Sequence, residues 1–169
     1  MPDEIKIDPV TYNKPLRETL DEIFKNAGDL PIKGGWGYTK EEAIVIDKDD
    51  PSVKPGLPFD GVGIEYKVAE LLIYLELIVF RKQEERFGGI ETKLNTQFLS
   101  SDDGRHFDVL VFDVTAFRDK DFAMLKKEWL ANEHNPGFDV QKHIEKMEKL
   151  KCHYQRELWF DITSFYGSY

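Results

Sequence analysis

Three carboxylates interrupt one apolar run, IEYKVAELLIYLELIVF, at Glu65, Glu70 and Glu76. A carboxyl forced into a dry interior resists ionisation and can serve as a general acid or base. Glu70 is the catalytic candidate, because Tyr66 and Tyr74 stand one helical turn to either side and would orient it through their hydroxyls. On a helix, Glu65 and Glu76 project about 20° apart and Glu70 lies well away from both, given ~100° per residue. The competing expectation puts all three at the helix edges, exposed or salt-bridged.

The second place for chemistry is Gly34-Gly35-Trp36-Gly37-Tyr38. Glycines let backbone approach a ligand closely, and Trp36 and Tyr38 would be its stacking walls. The stretch lacks both the Gly-Lys-Ser/Thr of a phosphate loop and a Gly-x-Gly-x-x-Gly opening a helix, so no cofactor is expected. Its plainer reading is a bend with an aromatic plug, since glycines beside strands mark bends or close packing.

Other reactive residues carry less. His106, His134, His143 and His153 show no metal-ligand spacing and read as surface or edge residues, so no metal is expected. Cys152 next to His153 has no nucleophile elbow around it and reads as a buried thiol. The acidic stretch SSDDGRH lacks the calcium-loop pattern and is explained by a hairpin turn. At the C-terminal end, Trp159, Phe165, Tyr166 and Tyr169 would dock a partner or second copy if the last strand lies at a sheet edge. Otherwise they fill the core.

The elements that must position these residues follow from periodicity. Leu16, Leu20, Ile23, Phe24 and Ala27 form the stripe of an amphipathic helix, with Asn13 as cap, Pro15 in its first turn and Gly28 at its end. Two short strands flank Thr39-Lys40-Glu41. A proline-rich loop at 48–61 is long for an idle connection, and is a lid candidate if a ligand site exists. Residues 62–80 predict a largely buried helix, with a break near Tyr74 and a strand at 75–80 as the alternative. Ile90–Leu99 and Phe107–Phe117 predict a hairpin turning at Asp102-Asp103-Gly104, its second strand central because both faces are apolar. Two helices and a final strand follow. The order predicts a single α+β domain over 1–169, with an antiparallel or mixed sheet of about five strands and residues 1–12 as a loose extension.

Composition limits the function. The 169 residues are 41% apolar and 13% aromatic, enough for a real core, and carry a net charge of −9. That field repels phosphate backbones, so nucleic acid is not an expected partner. The charges within the apolar run argue against a membrane span. One cysteine and an N-terminus without a secretion pattern suggest a cytoplasmic protein. The leading expectation is a non-catalytic, acidic protein-interaction or inhibitor-like module, able to take a protein partner or self-associate. The alternative is a small enzyme or ligand binder with its pocket between the 62–80 helix and the Gly34–Tyr38 bend.

Overall fold

The computed structural model describes residues 3–25, 27 and 29–167. In chain order they form β1 (Asp3–Glu4), α1 (Leu16–Ile23), β2 (Ile32–Gly34), β3 (Ile44–Ile46) and α2 (Gly61–Tyr74). A wide π turn (Leu75–Val79) and a short 3-10 turn (Gln83–Glu85) lead to β4 (Phe87–Asp102), β5 (Arg105–Arg118), α3 (Asp119–Asn132), α4 (Val140–Leu150) and β6 (Cys152–Asp161). The fold is α+β, as expected. The hydrogen-bonded strand order is β2-β3-β6-β5-β4, with β1 beside the start of β6. The sheet is mixed: β2 and β3 are antiparallel, whereas β3 and β1 each run parallel to β6. The sixth strand is β1, which ties Asp3 and Glu4 to Cys152 and His153 within the stretch expected to be loose. Among the described residues, no helix is long and apolar enough to cross a membrane.

The contacts gather into two compact units. One holds Tyr74–Lys93, Phe112–Arg156 and the described residues up to Asp8; the other holds Pro9–Ile73, Leu94–Val111 and 157–167. The first is built on Leu75, Leu77, Phe112, Val114, Leu125 and Tyr154. The second is built on Leu16, Leu20, Ile32, Ile44, Ile46, Leu72, Leu110 and Phe160.

Local physics explains most element boundaries. Asp60 Oδ1 accepts the Gly63 N–H at 2.9 Å, a side-chain cap that starts α2 one residue before the expected Val62. The helix does not break into a strand after Tyr74. It widens instead, the Phe80 N–H donating to Leu75 O at 3.0 Å, so that Leu75, Glu76 and Leu77 are all buried. The stripe Tyr66, Lys67, Glu70 and Tyr74 is exposed, so α2 is covered on fewer sides than expected. Helix α1 is shorter than its apolar stripe. Pro15 occupies the cap position in place of Asn13, and the chain is extended at Phe24; the predicted stop at Gly28 lies outside the described residues. Strand β5 does lie inside the sheet, and the hairpin turns through Asp103 and Gly104, both with positive φ.

The glycine-rich stretch is a bend. Gly37 has φ +87°, and a Cβ on Gly35 would run into the Glu42 carbonyl. The strand expected before Thr39 is accordingly displaced, β2 ending at Gly34 with the bend after it, whereas β3 lies where the second strand was expected.

Candidate functional site

Three buried carboxylates illustrate two ways to hold a negative charge in a protein interior. In the first unit, the fully buried side chain of Glu76 is saturated. The Arg156 guanidinium meets its Oε2 at 2.7 Å and its Oε1 at 3.1 Å, and the Tyr154 hydroxyl donates to Oε1 at 3.0 Å. Arg156 also donates to the Ile7 carbonyl at 2.8 Å. This cluster resembles a structural tie: every charged atom named has a partner, and removing one would strand the others.

In the second unit, Glu65 and Asp108 form a carboxyl–carboxyl pair. Glu65 is 1% and Asp108 4% exposed. Gln97 Nε2 donates to Asp108 Oδ2 at 2.7 Å, but among the described residues no other donor reaches Asp108 Oδ1 or Glu65 Oε2. Two carboxylates cannot satisfy each other without a proton. Burial pushes Glu65 up to about 9, helped by its hydrogen bond to Asp108 and by that residue's negative charge. Glu65 therefore keeps its proton at neutral pH.

The pair lies at a cavity of about 480 Å³. Its rim comes from the start of α2, from Gln97–Leu99 of β4, from Asp108 of β5, and from the turn that follows β6. The walls are largely aromatic: Phe59, Phe98, Phe165 and Tyr166. Phe165 packs edge-on against Phe59 with centroids 5.1 Å apart, and Gly61 makes room for the same ring. Tyr166 stacks on His106 at 3.8 Å and 10°.

That last turn is held rigidly. Ser164 Oγ donates to Ile46 O at 2.9 Å and accepts the Lys48 N–H at 3.0 Å. Asp161 Oδ1 accepts from the Thr163 amide and hydroxyl, while Arg105 donates twice to Oδ2, at 2.9 and 3.0 Å. Burial would raise the Asp161 carboxyl, yet Thr163 and Arg105 outweigh it and hold it below the usual range. The wall is thus pre-organised by groups that do not line the cavity.

The sequence candidates fall in different places. Glu70 is exposed, and Tyr66 and Tyr74 flank it on the same open stripe. Trp36 is buried, its indole N–H donating to Lys14 O at 3.0 Å and its ring edge-on to Tyr12. Tyr38 accepts the Val10 N–H at 3.1 Å. Both aromatics thus pin the segment before α1. The proline-rich loop is likewise anchored, by the bidentate Arg17–Asp50 pair at 2.6 and 3.3 Å. Trp159 packs on the Ala43, Phe107 and Val109 cluster. Phe165 and Tyr166, the proposed partner-docking residues, instead line the cavity; Tyr169 lies outside the described residues.

His143 departs from the expected surface position. It is buried, with Nδ1 2.9 Å from Glu128 Oε1. Cys152 is buried as expected, its thiol pushed up by burial. Among the described residues, no group of three or more His, Cys, Asp or Glu is placed to hold a metal.

Asp108, Gln97 and Phe59 were not singled out from sequence. Asp108 carried a usable signal: it is a charge on the same strand face as Leu110 and Phe112, a face that must be covered. No protein-family model, curated protein or solved structure matches this chain.

Proposed function

We propose that the protein binds a small molecule in the cavity floored by Glu65 and Asp108. One observation carries this reading: a buried carboxyl pair that shares a single proton lies among the lining of a concave space beside Phe59, Phe98, Phe165 and Tyr166. Buried carboxyls usually draw donors from the surrounding protein, so a pair left to share one proton beside a cavity marks a place where a ligand can supply them. The pre-built wall at Phe165 and Tyr166 supports the same conclusion, because a rigid site loses little entropy on binding.

Binding is favoured over catalysis here because, among the described residues, the lining offers no serine, threonine, cysteine, lysine or histidine to act beside the acids. The protein-partner reading draws on the net charge of −9, but the tail aromatics Phe165 and Tyr166 are committed to the cavity wall.

A thermal-shift panel of small molecules on the wild-type protein tests the reading. A ligand that binds only the folded state raises Tm with its concentration. The expected hit loses its shift in Phe165→Ala, with that variant still folded by circular dichroism. Hits that keep their full shift in folded Phe165→Ala would place the binding site elsewhere.

A further inference from the structure

The charge balance of the cavity narrows the ligand class. Its lining carries three acids, Asp60, Glu65 and Asp108, and, among the described residues, no lysine, arginine or histidine. Asp60 is occupied as the cap of α2 through Oδ1. Two basic residues of β5 are turned to other tasks: Arg105 is bound to Asp161, and His106 is stacked on the ring of Tyr166. An anion would enter this space against uncompensated negative charge. A neutral acceptor would compete with Asp108 for the one proton of the pair and would bring no donor of its own.

A positively charged donor answers each requirement. Its N–H groups can donate to Glu65 and Asp108 in place of the shared proton, and aromatic walls further favour its charge. The remaining volume, bounded by Phe59, Phe98 and Phe165, suits an apolar or aromatic body attached to that nitrogen.

We propose that the cavity takes a small organic ammonium ion with an apolar body, whose nitrogen replaces the proton shared by Glu65 and Asp108. This rests on the cavity being a ligand site. The balance is simple. The incoming cation brings one positive charge, the Glu65 carboxyl gives up one proton to solvent, and both carboxylates then accept hydrogen bonds from the ammonium. No bond to carbon forms or breaks. Affinity therefore rises with pH until the ligand itself begins to lose its charge. Asp60, Glu65 and Asp108 are the acids facing the ligand; Gln97 on β4 and Tyr166 after β6 are the polar neighbours from the other walls.

The test compares matched probes on the wild-type protein: benzylammonium chloride against benzyl alcohol, of nearly the same shape but neutral. Isothermal titration is run at pH 7 in phosphate and in Tris, whose ionisation enthalpies differ, so the buffer dependence of the heat counts protons released. The expected result is a preference for the ammonium of at least about tenfold, consistent with a charge-assisted hydrogen bond. One proton should leave per ligand bound. In Glu65→Gln the proton release should vanish and the preference should shrink. Equal or tighter binding of benzyl alcohol would overturn the ammonium class while leaving the cavity as a ligand site. If neither probe binds at millimolar concentration, and no member of the small-molecule panel does, both readings fall. The comparison of probes is made on wild type, so it stands even where the variant folds poorly.

Discussion

Gln97 donates to one oxygen of Asp108 at 2.7 Å and leaves the other to Glu65. That single amide occupies one oxygen of the aspartate, so the other is the one left for the protonated glutamate. It makes the acid pair an oriented site, with one carboxyl anchored to β4 and the other presented by α2. Glu76 shows the contrast, being anchored at both oxygens and open to nothing.

The first prediction concerns pH. Glu65 is pushed from the ordinary 4.5 up to about 9 in the folded state. Below about 4.5 the unfolded and folded chains both hold this proton, and the site costs nothing. Between about 4.5 and 9 the unfolded chain gives it up and the folded chain does not, so stability from this group falls as pH rises. Glu65→Gln removes the titration and leaves an amide that can donate to Asp108. Its Tm should exceed wild type by at least about 3 °C at pH 8 and by much less at pH 4.5. A Tm difference constant across that range would show that Glu65 does not titrate this way.

Glu76 should respond in the opposite sense. Glu76→Gln strands the Arg156 guanidinium in a buried position, a loss of about 3–5 kcal/mol by analogy with broken buried ion pairs. Urea denaturation at pH 7 measures it. A midpoint unchanged from wild type would mean that Arg156 finds an alternative partner.

Gly35 is a test of the bend. A Cβ there meets the Glu42 backbone, which has no flexible end to move aside. Gly35→Ala should therefore cost on the order of 1–3 kcal/mol. Gly137, whose added Cβ meets only Asn135 Oδ1 at 3.5 Å, is the control and should change by less than about 0.5 kcal/mol. Equal effects at the two positions would refute the steric explanation.

Gly61 links the helix start to the cavity wall. Adding a Cβ pushes on the Phe165 ring and must displace it from Phe59. Gly61→Ala should weaken benzylammonium binding by about tenfold or more, with little loss of helix content, since alanine is the better helix former. Undiminished binding would mean that Phe165 does not shape the ligand's space.

Much of this arrangement was legible before the structure. The hairpin, the long helix and the final two helices follow from periodicity and turn residues. Glu65 and Glu76, ~20° apart on an ideal helix, are each buried. The choice of Glu70 failed for a specific reason. A helix's own pattern shows which residues are neighbours, and Tyr66 and Tyr74 do flank Glu70, but the packing partner decides which face is covered. Here Glu65, Val68, Ala69 and Leu72 took the buried side. Phe59 meeting Phe165, and β3 running parallel to β6, depend on distant segments converging, which no local pattern reports. The π turn was illegible for another reason: its residues are good formers of an ordinary helix.

Chain length at that turn is not free. In an α pitch, Leu75, Glu76 and Leu77 would fan across ~200° of the helix surface, yet all three are enclosed. The surplus residue acts as a shim. Deleting one position between Leu75 and Val79 would let the coil tighten to ordinary pitch and swing neighbouring side chains by ~100°. Glu76 could then no longer keep both its oxygens on Arg156. Variation in this stretch should proceed by exchange of side chains and hardly ever by insertion or deletion, a rule that a length-scanning library would expose at once.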